Sequence, residues 1–457
     1  MEEAGITYSQ RSYFSTASEL LKLGFPVLVT QLGVIAVSFA DTMMVGAYGL
    51  NELAASAFVN SLFLVAVVML LGFAGGVTPL IGALYGKEEH EEVGVMLRAS
   101  LIVNIGISLG FIVIMSGLFF LLPYAGQDED LLPIARQYYL IILPSLLPMS
   151  IFNCMQQTCN GLTDTATPMW IILGADLLNI LGNYLLIFGN LGFPELGLAG
   201  AGWSTLASRC AAAVAIVAVF SFSGRYRKYW IGAMTTGSGR ERKMNVWTTS
   251  YPLMVQSGVE CGLWTFGAVV SGWFGKVQLA AYQVMNTIGQ LGFMIYLSLG
   301  WATSIKVANF TGSGDFLSVR RVTKVGLHII LLLATFASFA FFFFTNDMVG
   351  YFTPEADVVE YALMMVVPLV LYQYCDGTQL TYVNALRGTA HVKPLLWISV
   401  VSYIFVGIPS LLLFAILADM QTLGVYYSFS LALLCAAILL FLTFRRTLDR
   451  LQNPLPQ

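Results

Sequence analysis

Twelve long apolar runs dominate this chain, and stretches such as FLVAVVMLLGFAGG and HIILLLATFASFAFFFF contain no Asp, Glu, Lys or Arg. Apolar runs of about 20 residues are long enough to cross hydrocarbon as helices. In lipid the backbone must satisfy its own hydrogen bonds, which leaves helices or closed barrels, and these runs lack the alternation of barrel strands. Only 10% of the 457 residues are charged, against about 25% in a soluble domain. The mean hydropathy of +0.77 belongs to the whole length rather than to one segment. The runs predict spans over 18–46, 52–82, 93–122, 132–158, 167–190, 197–222, 247–272, 279–310, 320–346, 356–386, 393–417 and 421–446. No amino-terminal segment pairs a short apolar region with a cleavage site, so no removable signal peptide is expected.

Lys and Arg set the orientation. On alternate loops, one side gathers Arg225, Arg227 and Lys228, Arg240 to Lys243, Arg320 to Lys324, Arg445 to Arg450 and single cations such as Arg11 and Arg387. The other side has only Arg136 and Lys276, beside the acidic stretches QDED and TPEAD. That bias predicts both termini and the central loop in the cytoplasm of a multi-pass plasma (inner) membrane protein. A net charge of −3 gives nucleic-acid binding no support. The six cysteines, at 154, 159, 210, 261, 375 and 435, lie in apolar spans without metal-ligand spacing and read as small core residues. The chain has no GxSxG elbow, P-loop or HExxH, and His90-Glu91-Glu92 fails the last pattern because Val-Gly follows. A transporter, not an enzyme, is expected, with no organic cofactor.

Sliding the chain by 226 positions lays FPVLVTQLGVIAVSFADTMMVGAYGLNELAASAFVN over YPLMVQSGVECGLWTFGAVVSGWFGKVQLAAYQVMN without a gap. Pro26 meets Pro252, Gly46 meets Gly272, Gly49 meets Gly275 and Asn60 meets Asn286; farther on, Gly86 meets Gly312 and Pro168 meets Pro394. Apolar composition matches Leu with Leu by chance but does not hold prolines and glycines in register. The reading is therefore an all-α integral membrane protein of twelve transmembrane helices in two pseudo-symmetric six-helix bundles. The amino-terminal lobe is 1–222, the cytoplasmic linker 223–246 and the carboxy-terminal lobe 247–457. With an even number of spans per half, the halves are related by an axis along the membrane normal. Transporters built from paired repeats place their sites at depth and rock one bundle against the other. Pro26 and Pro252 each remove a backbone hydrogen bond from a leading helix and permit a bend there, static or moving.

Five ionisable residues fall inside spans: Asp41, Asp176, Arg209, Glu260 and Asp376. Each costs roughly 2.5–3.5 kcal/mol at a helix centre on insertion scales, so each needs a partner, water or an ion. Asp176 and Arg209 lie at comparable depth on consecutive antiparallel helices and read as a structural ion pair. The remaining three acids have no spare internal base, because Lys306 sits near a helix end where it can snorkel and His328 is the only other candidate. A mobile cation is then their natural partner. Tyr372 precedes Asp376 by four residues and faces the same way, and a phenol beside a carboxylate suits a weakly hydrated cation. Asn179 and Asn183 are also four apart; with Asp41 and Thr205 they line one pocket if the first, fifth and sixth helices meet, or serve as interhelical glue. The repeat diverges at its acids, since Asp41 overlies Gly267 and Glu260 overlies Val34.

These residues, with PVLVTQLGVIAVSFADTMMVG, GVTPLIGALYG, NGLTDTATP and NILGNYLLIFGNLGFPELGLAGAGWST, make the chain resemble the multidrug and toxic compound extrusion (MATE) family over nearly all its length. It looks most like the bacterial NorM-type branch, whose acidic pair and tyrosine match Glu260, Asp376 and Tyr372. The resemblance implies a V-shaped, two-lobe fold that exports small organic cations in exchange for inward Na+ or H+, functioning in the lipid bilayer as a monomer. It implies a cation site of Glu260, Asp376 and Tyr372, with Na+ held by the two carboxylates, and an amino-lobe substrate or proton site of Asp41, Asn179, Asn183 and Thr205. Many relatives carry an aspartate where this chain has Asn183, which moves the expected coupling site to the carboxy lobe. A flippase for a lipid-linked oligosaccharide shares the two-bundle plan, but it calls for a strongly cationic cavity that Arg209 alone does not supply.

Overall fold

The computed structural model describes residues 12–124, 130–235 and 237–452, and all the secondary structure there is helical. Arg11 and most of QDED lie outside the described residues. Eleven helices are long and apolar enough to span a membrane, and a bent pair supplies a twelfth. They are α1 (Tyr13–Tyr48), α2 (Leu50–Gly86), α3 (His90–Phe119), α4 (Leu131–Gly161), α5 (Ala166–Leu186) and α6 (Leu198–Phe222) in the first half. The second half has α7 (Arg240–Trp273), α8 (Lys276–Ser313), α9 (Phe316–Gly350), α10 (Ala356–Met364 and Val366–Gly388, bent by 48°), α11 (Lys393–Leu417) and α12 (Gln421–Gln452). Every predicted span corresponds to one of these, and the helices mostly overrun the predicted edges. Polar residues extend them beyond the apolar runs that the sequence reading counted.

Turn chemistry sets several boundaries. Gly314 ends α8 with a left-handed φ of 75°, and Asp315 then caps α9 by accepting from Ser318 N at 3.0 Å, a Gly stop followed by an Asp start. The repeat-related turn has Glu88 at a left-handed φ of 63° before α3. A second matched detail lies deeper. A Cβ on Gly161 of α4 would stand 2.8 Å from Ile81 on α2, and one on Gly388 of α10 would stand 2.7 Å from Val307 on α8. Ile81 and Val307 are repeat partners. Each glycine is followed two residues later by a left-handed backbone, Thr163 at 60° and Ala390 at 59°. The internal symmetry therefore reaches the contacts and not only the sequence.

The chain groups into two compact units: Pro26–Met254, and Val255–Gln457 together with the segment ending at Phe25. The sequence repeat and the packing thus part company at the leading helices. The start of α1 packs with the second half, through Lys306 Nζ to Glu19 Oε2 at 2.7 Å and Tyr13 OH to His328 Nδ1 at 3.1 Å. The start of α7 packs with the first half, through two hydrogen bonds of 2.9 Å from Arg242 Nε and Nη2 to the two Glu92 oxygens and Trp247 against Phe73. In both helices the change of unit falls within three residues of the proline, Pro26 or Pro252. Lys306 is therefore ion-paired rather than snorkelling alone.

The linker contains a short helix, Arg227–Thr235. It lies on α3 at Gly94, where a Cβ would meet Tyr229 O at 2.7 Å. Arg98 Nη1 donates to the carbonyls of Ala233 and Met234 at 3.3 and 3.2 Å, closing the end of that helix. All six cysteines are free; Cys154 and Cys159 are buried, Cys261, Cys375 and Cys435 are half-buried, and Cys210 is exposed instead of sitting in the core.

Candidate functional site

Two polar clusters occupy the helical interiors, one in each unit. In the unit containing the second half, Asp376 on α10 is 1% exposed, and its Oδ2 is buried with no hydrogen-bond partner. Tyr372 lies one turn earlier on the same face. Trp264 of α7 meets its ring edge-on at 5.4 Å and then packs on Phe429 at 4.2 Å. Glu260 of α7 accepts a hydrogen bond from Tyr403 OH at 3.3 Å, and Tyr403 OH accepts from Gln379 Nε2 at 3.1 Å. Tyr403 sits on a π-helical stretch of α11, Val400–Gly407, the kind of local widening that often marks a functional site. Glu260, Asp376 and Tyr372 all lie close enough to act on one another electrostatically.

The sequence reading missed Tyr403 and Gln379. Gln379 extends the stripe Tyr372–Asp376 by three further residues and was findable on that spacing. Tyr403 was not, because an aromatic residue in an apolar helix is ordinarily core. Arg387 requires a correction: the sequence grouped it with the loop cations, but it lies in the last turn of α10 with Nε buried and Nη1 donating to Asn384 Oδ1 at 3.4 Å. It is within electrostatic reach of Glu260. Of the acids taken to lack an internal base, Glu260 therefore has a resident cation nearby, and Asp376 has none among its electrostatic neighbours.

In the unit containing the first half, α1, α5 and α6 do meet. Asn183 Nδ2 donates to Asp41 Oδ1 and lies 3.4 Å from Asn179 Oδ1. Asn179 Nδ2 donates to Thr205 Oγ1 at 3.3 Å, and Thr205 Oγ1 donates to Ala201 O at 3.0 Å. Ser204 Oγ fixes the strip by donating to Asn179 O at 2.7 Å. The four residues singled out from sequence thus form one continuous polar chain ending on a carboxylate.

The expected Asp176–Arg209 ion pair is not formed. Arg209 Nη1 donates to Ser145 Oγ at 2.7 Å, and its charged neighbour is Asp41. Asp176 turns toward α1, where its Oδ2 lies 2.9 Å from the point a Gly33 Cβ would occupy, buried and without a hydrogen-bond partner. Comparable depth on adjacent helices did not place the two residues on facing sides. Among the described residues no three His, Cys, Asp or Glu side chains form a group that could hold a metal ion. Each cluster instead combines carboxylates with neutral oxygens, a donor set suited to a hard cation, a proton or an organic ammonium.

A family model described as MatE matches residues 26–185 and 252–413, one match per half. The probable multidrug resistance protein NorM of Photorhabdus laumondii is 27% identical over 437 residues, covering 93% of this chain and 95% of that protein. The Synechococcus protein of the same description is 26% identical and covers 98% of both. Among solved structures, the eukaryotic MATE transporter AtDTX14 superposes with a TM-score of 0.86 at 19% identity, covering 96% of this chain and 99% of that one. The Vibrio cholerae MATE transporter VcmN in its bent form gives 0.83 at 18% identity, with 96% and 98% covered.

Proposed function

Because the chain belongs to the MatE family of membrane transporters, we propose that it is a multidrug efflux antiporter exporting organic cations in exchange for inward Na+ or H+. The observation that carries this reading is Asp376: a carboxylate 1% exposed, with one oxygen unpartnered, beside Tyr372 and Glu260. Relatives described as multidrug resistance proteins supply the substrate class.

Antiport requires ion and drug to favour different conformations, since a ligand that binds both states equally shifts nothing. Moving an equilibrium from 1:99 to 99:1 takes about 5.5 kcal/mol of differential affinity. An inward monovalent cation draws about 2.3 kcal/mol per 100 mV from the membrane potential, and its concentration gradient adds to that. In this reading the ion enters at Glu260 and Asp376 from outside and releases the organic cation. The Asp41–Asn183–Asn179–Thr205 chain supplies the substrate or proton site of the first half. Both termini and the linker are cytoplasmic, in the plasma (inner) membrane, and the working unit is a monomer.

The test is efflux of a cationic dye from proteoliposomes under imposed Na+ or pH gradients, with dye binding and expression measured in parallel. Glu260→Gln and Asp376→Asn should abolish gradient-driven efflux while dye binding persists. Asp41→Asn should change dye affinity or proton dependence more than Na+ dependence. Gradient-dependent efflux of wild-type rate from the Glu260→Gln, Asp376→Asn double variant overturns the reading.

A further inference from the structure

The linker carries a basic surface that transport chemistry leaves unused. Only Ser223–Tyr226 separate the end of α6 from the linker helix Arg227–Thr235. That helix meets α3 almost backbone to backbone, since a Cβ on Gly232 would lie 3.5 Å from Gly94 Cα. Gly94 and Arg98 belong to the first turns of the apolar run that begins at 93, so the helix lies where α3 enters the membrane. Tyr226 and the inward residues Tyr229 and Ala233 share one buried cluster with Val246, near the start of α7. The outward face reads Arg227 and Lys228, then Ile231 and Met234, the last two 49% and 56% exposed. The start of α7 repeats that order on one face at helical spacing. There Arg240 and Lys243 are followed by Met244 and Trp247, both exposed. All of these residues belong to the unit Pro26–Met254.

Two neighbouring cations have protein partners: Arg225 pairs with Asp164 and Arg242 with Glu92. Among the described residues Arg227, Lys228, Arg240 and Lys243 form no ion pair; Lys228 Nζ lies 4.8 Å from the centre of the Tyr229 ring. The acids Glu88, Glu89 and Glu91 are exposed and precede the apolar run of α3. Cation followed by apolar side chain, twice over at the mouth of a span, is the order of a phospholipid, with phosphate outside and acyl chain inside. Interfacial helices use that order, keeping Lys and Arg among headgroups while the apolar face enters the acyl boundary, and Trp settles at the same level. We propose that the outward face of the linker helix and the start of α7 form a docking surface for anionic phospholipid. The four free cations hold the headgroup phosphates, and Ile231, Met234, Met244 and Trp247 enter the acyl boundary. An acidic protein or a nucleic acid matches the cations but leaves those four apolar side chains in water. The proposal depends neither on the coupling ion nor on which side of the membrane the linker lies.

Hydrogen–deuterium exchange of the full chain in nanodiscs tests this, comparing phosphatidylcholine alone with phosphatidylcholine mixed with phosphatidylglycerol. One Lys or Arg near an anionic surface is worth about fivefold in association. Backbone exchange over 227–235 should therefore slow about fivefold or more when phosphatidylglycerol is present. A variant carrying Arg227→Gln, Lys228→Gln, Arg240→Gln and Lys243→Gln should lose that dependence and keep its Tm in phosphatidylcholine. A second variant, with Arg320→Gln, Arg445→Gln, Arg446→Gln and Arg450→Gln, removes the same net charge elsewhere and should retain it. A measurement on the unaltered protein guards against misfolding of the first variant: a photoactivatable phosphatidylglycerol should label residues 227–247 more than its phosphatidylcholine counterpart does. Exchange that is the same in both lipids overturns the proposal, as does equal labelling by the two probes. A phosphatidylglycerol dependence that survives in the linker variant overturns it too. So does protection reproduced by inorganic phosphate in pure phosphatidylcholine, which would mark a site for free anions.

Discussion

Asp164 joins the start of α5 to the segment entering the linker helix, and its removal should be strongly destabilising. It is 7% exposed. Its Oδ1 caps α5 by accepting from Ala166 N and Thr167 N, each at 3.1 Å. Its Oδ2 accepts from Thr167 Oγ1 at 2.7 Å, from Arg225 Nη1 at 3.1 Å and from the Tyr226 hydroxyl. The carboxylate thus ties the start of α5 to the segment entering the linker helix. Losing an N-cap costs about 1 kcal/mol, and stranding a buried hydroxyl that was bonded to a charge costs about 1.5–3. Arg225 is 56% exposed, so its share is at most about 1 kcal/mol. Asp164→Ala should therefore lose about 3–5 kcal/mol, and Tyr226→Phe about 1.5.

Unfolding of such a chain in detergent is read as a Tm at fixed scan rate, because refolding competes with aggregation. Asp164→Ala should lower that Tm by roughly 5–10 °C. A fall of less than about 2 °C refutes the reasoning. A pH series gives a second check. Burial opposes the charge on Asp164, but the hydrogen bonds from Tyr226 and Thr167 and the Arg225 guanidinium outweigh it, and the carboxyl is held below its ordinary value of 3.8. A depressed folded-state value stabilises the fold above the unfolded-state value, and that contribution is lost as pH falls through the folded one. The gap between wild type and Asp164→Asn should therefore be constant above about pH 5 and shrink only below 3.8.

Three further outcomes follow from the packing. Asp176→Asn should leave the Tm unchanged or raise it, because Asp176 Oδ2 has no partner to lose; a loss of about 3–5 kcal/mol, expected on breaking a buried ion pair, would restore the Asp176–Arg209 pair. Gly388→Ala places a Cβ 2.7 Å from Ser304 O and should cost about 1–3 kcal/mol, while Gly106→Ala, with nothing within 4 Å of its Cβ, should not destabilise. Cysteines introduced at Gly237 and at Leu191 should react with impermeant reagents from opposite sides of the membrane; labelling from one side contradicts six spans per half.

Period and composition report how far a helix runs and which residues sit one turn apart, and for that reason the spans, the repeat and the Tyr372–Asp376 and Asn179–Asn183 stripes were legible. They do not report the rotation of one helix against its neighbour. Asp176 and Arg209 share depth on α5 and α6, yet one faces Gly33 and the other Ser145. Rotation is set by small residues at close contacts, such as Gly161 on Ile81 and Gly388 on Val307, and those contacts lie far along the chain. The same limit hid Tyr403 and Arg387, whose importance comes from reaching Glu260 across a helix interface. It also hid the exchange of the leading turns of α1 and α7 between units, since a proline marks where a helix is free to bend but not which half its first turns join. What the sequence concealed is therefore of one kind: contacts between helices, whose residues carry no local pattern.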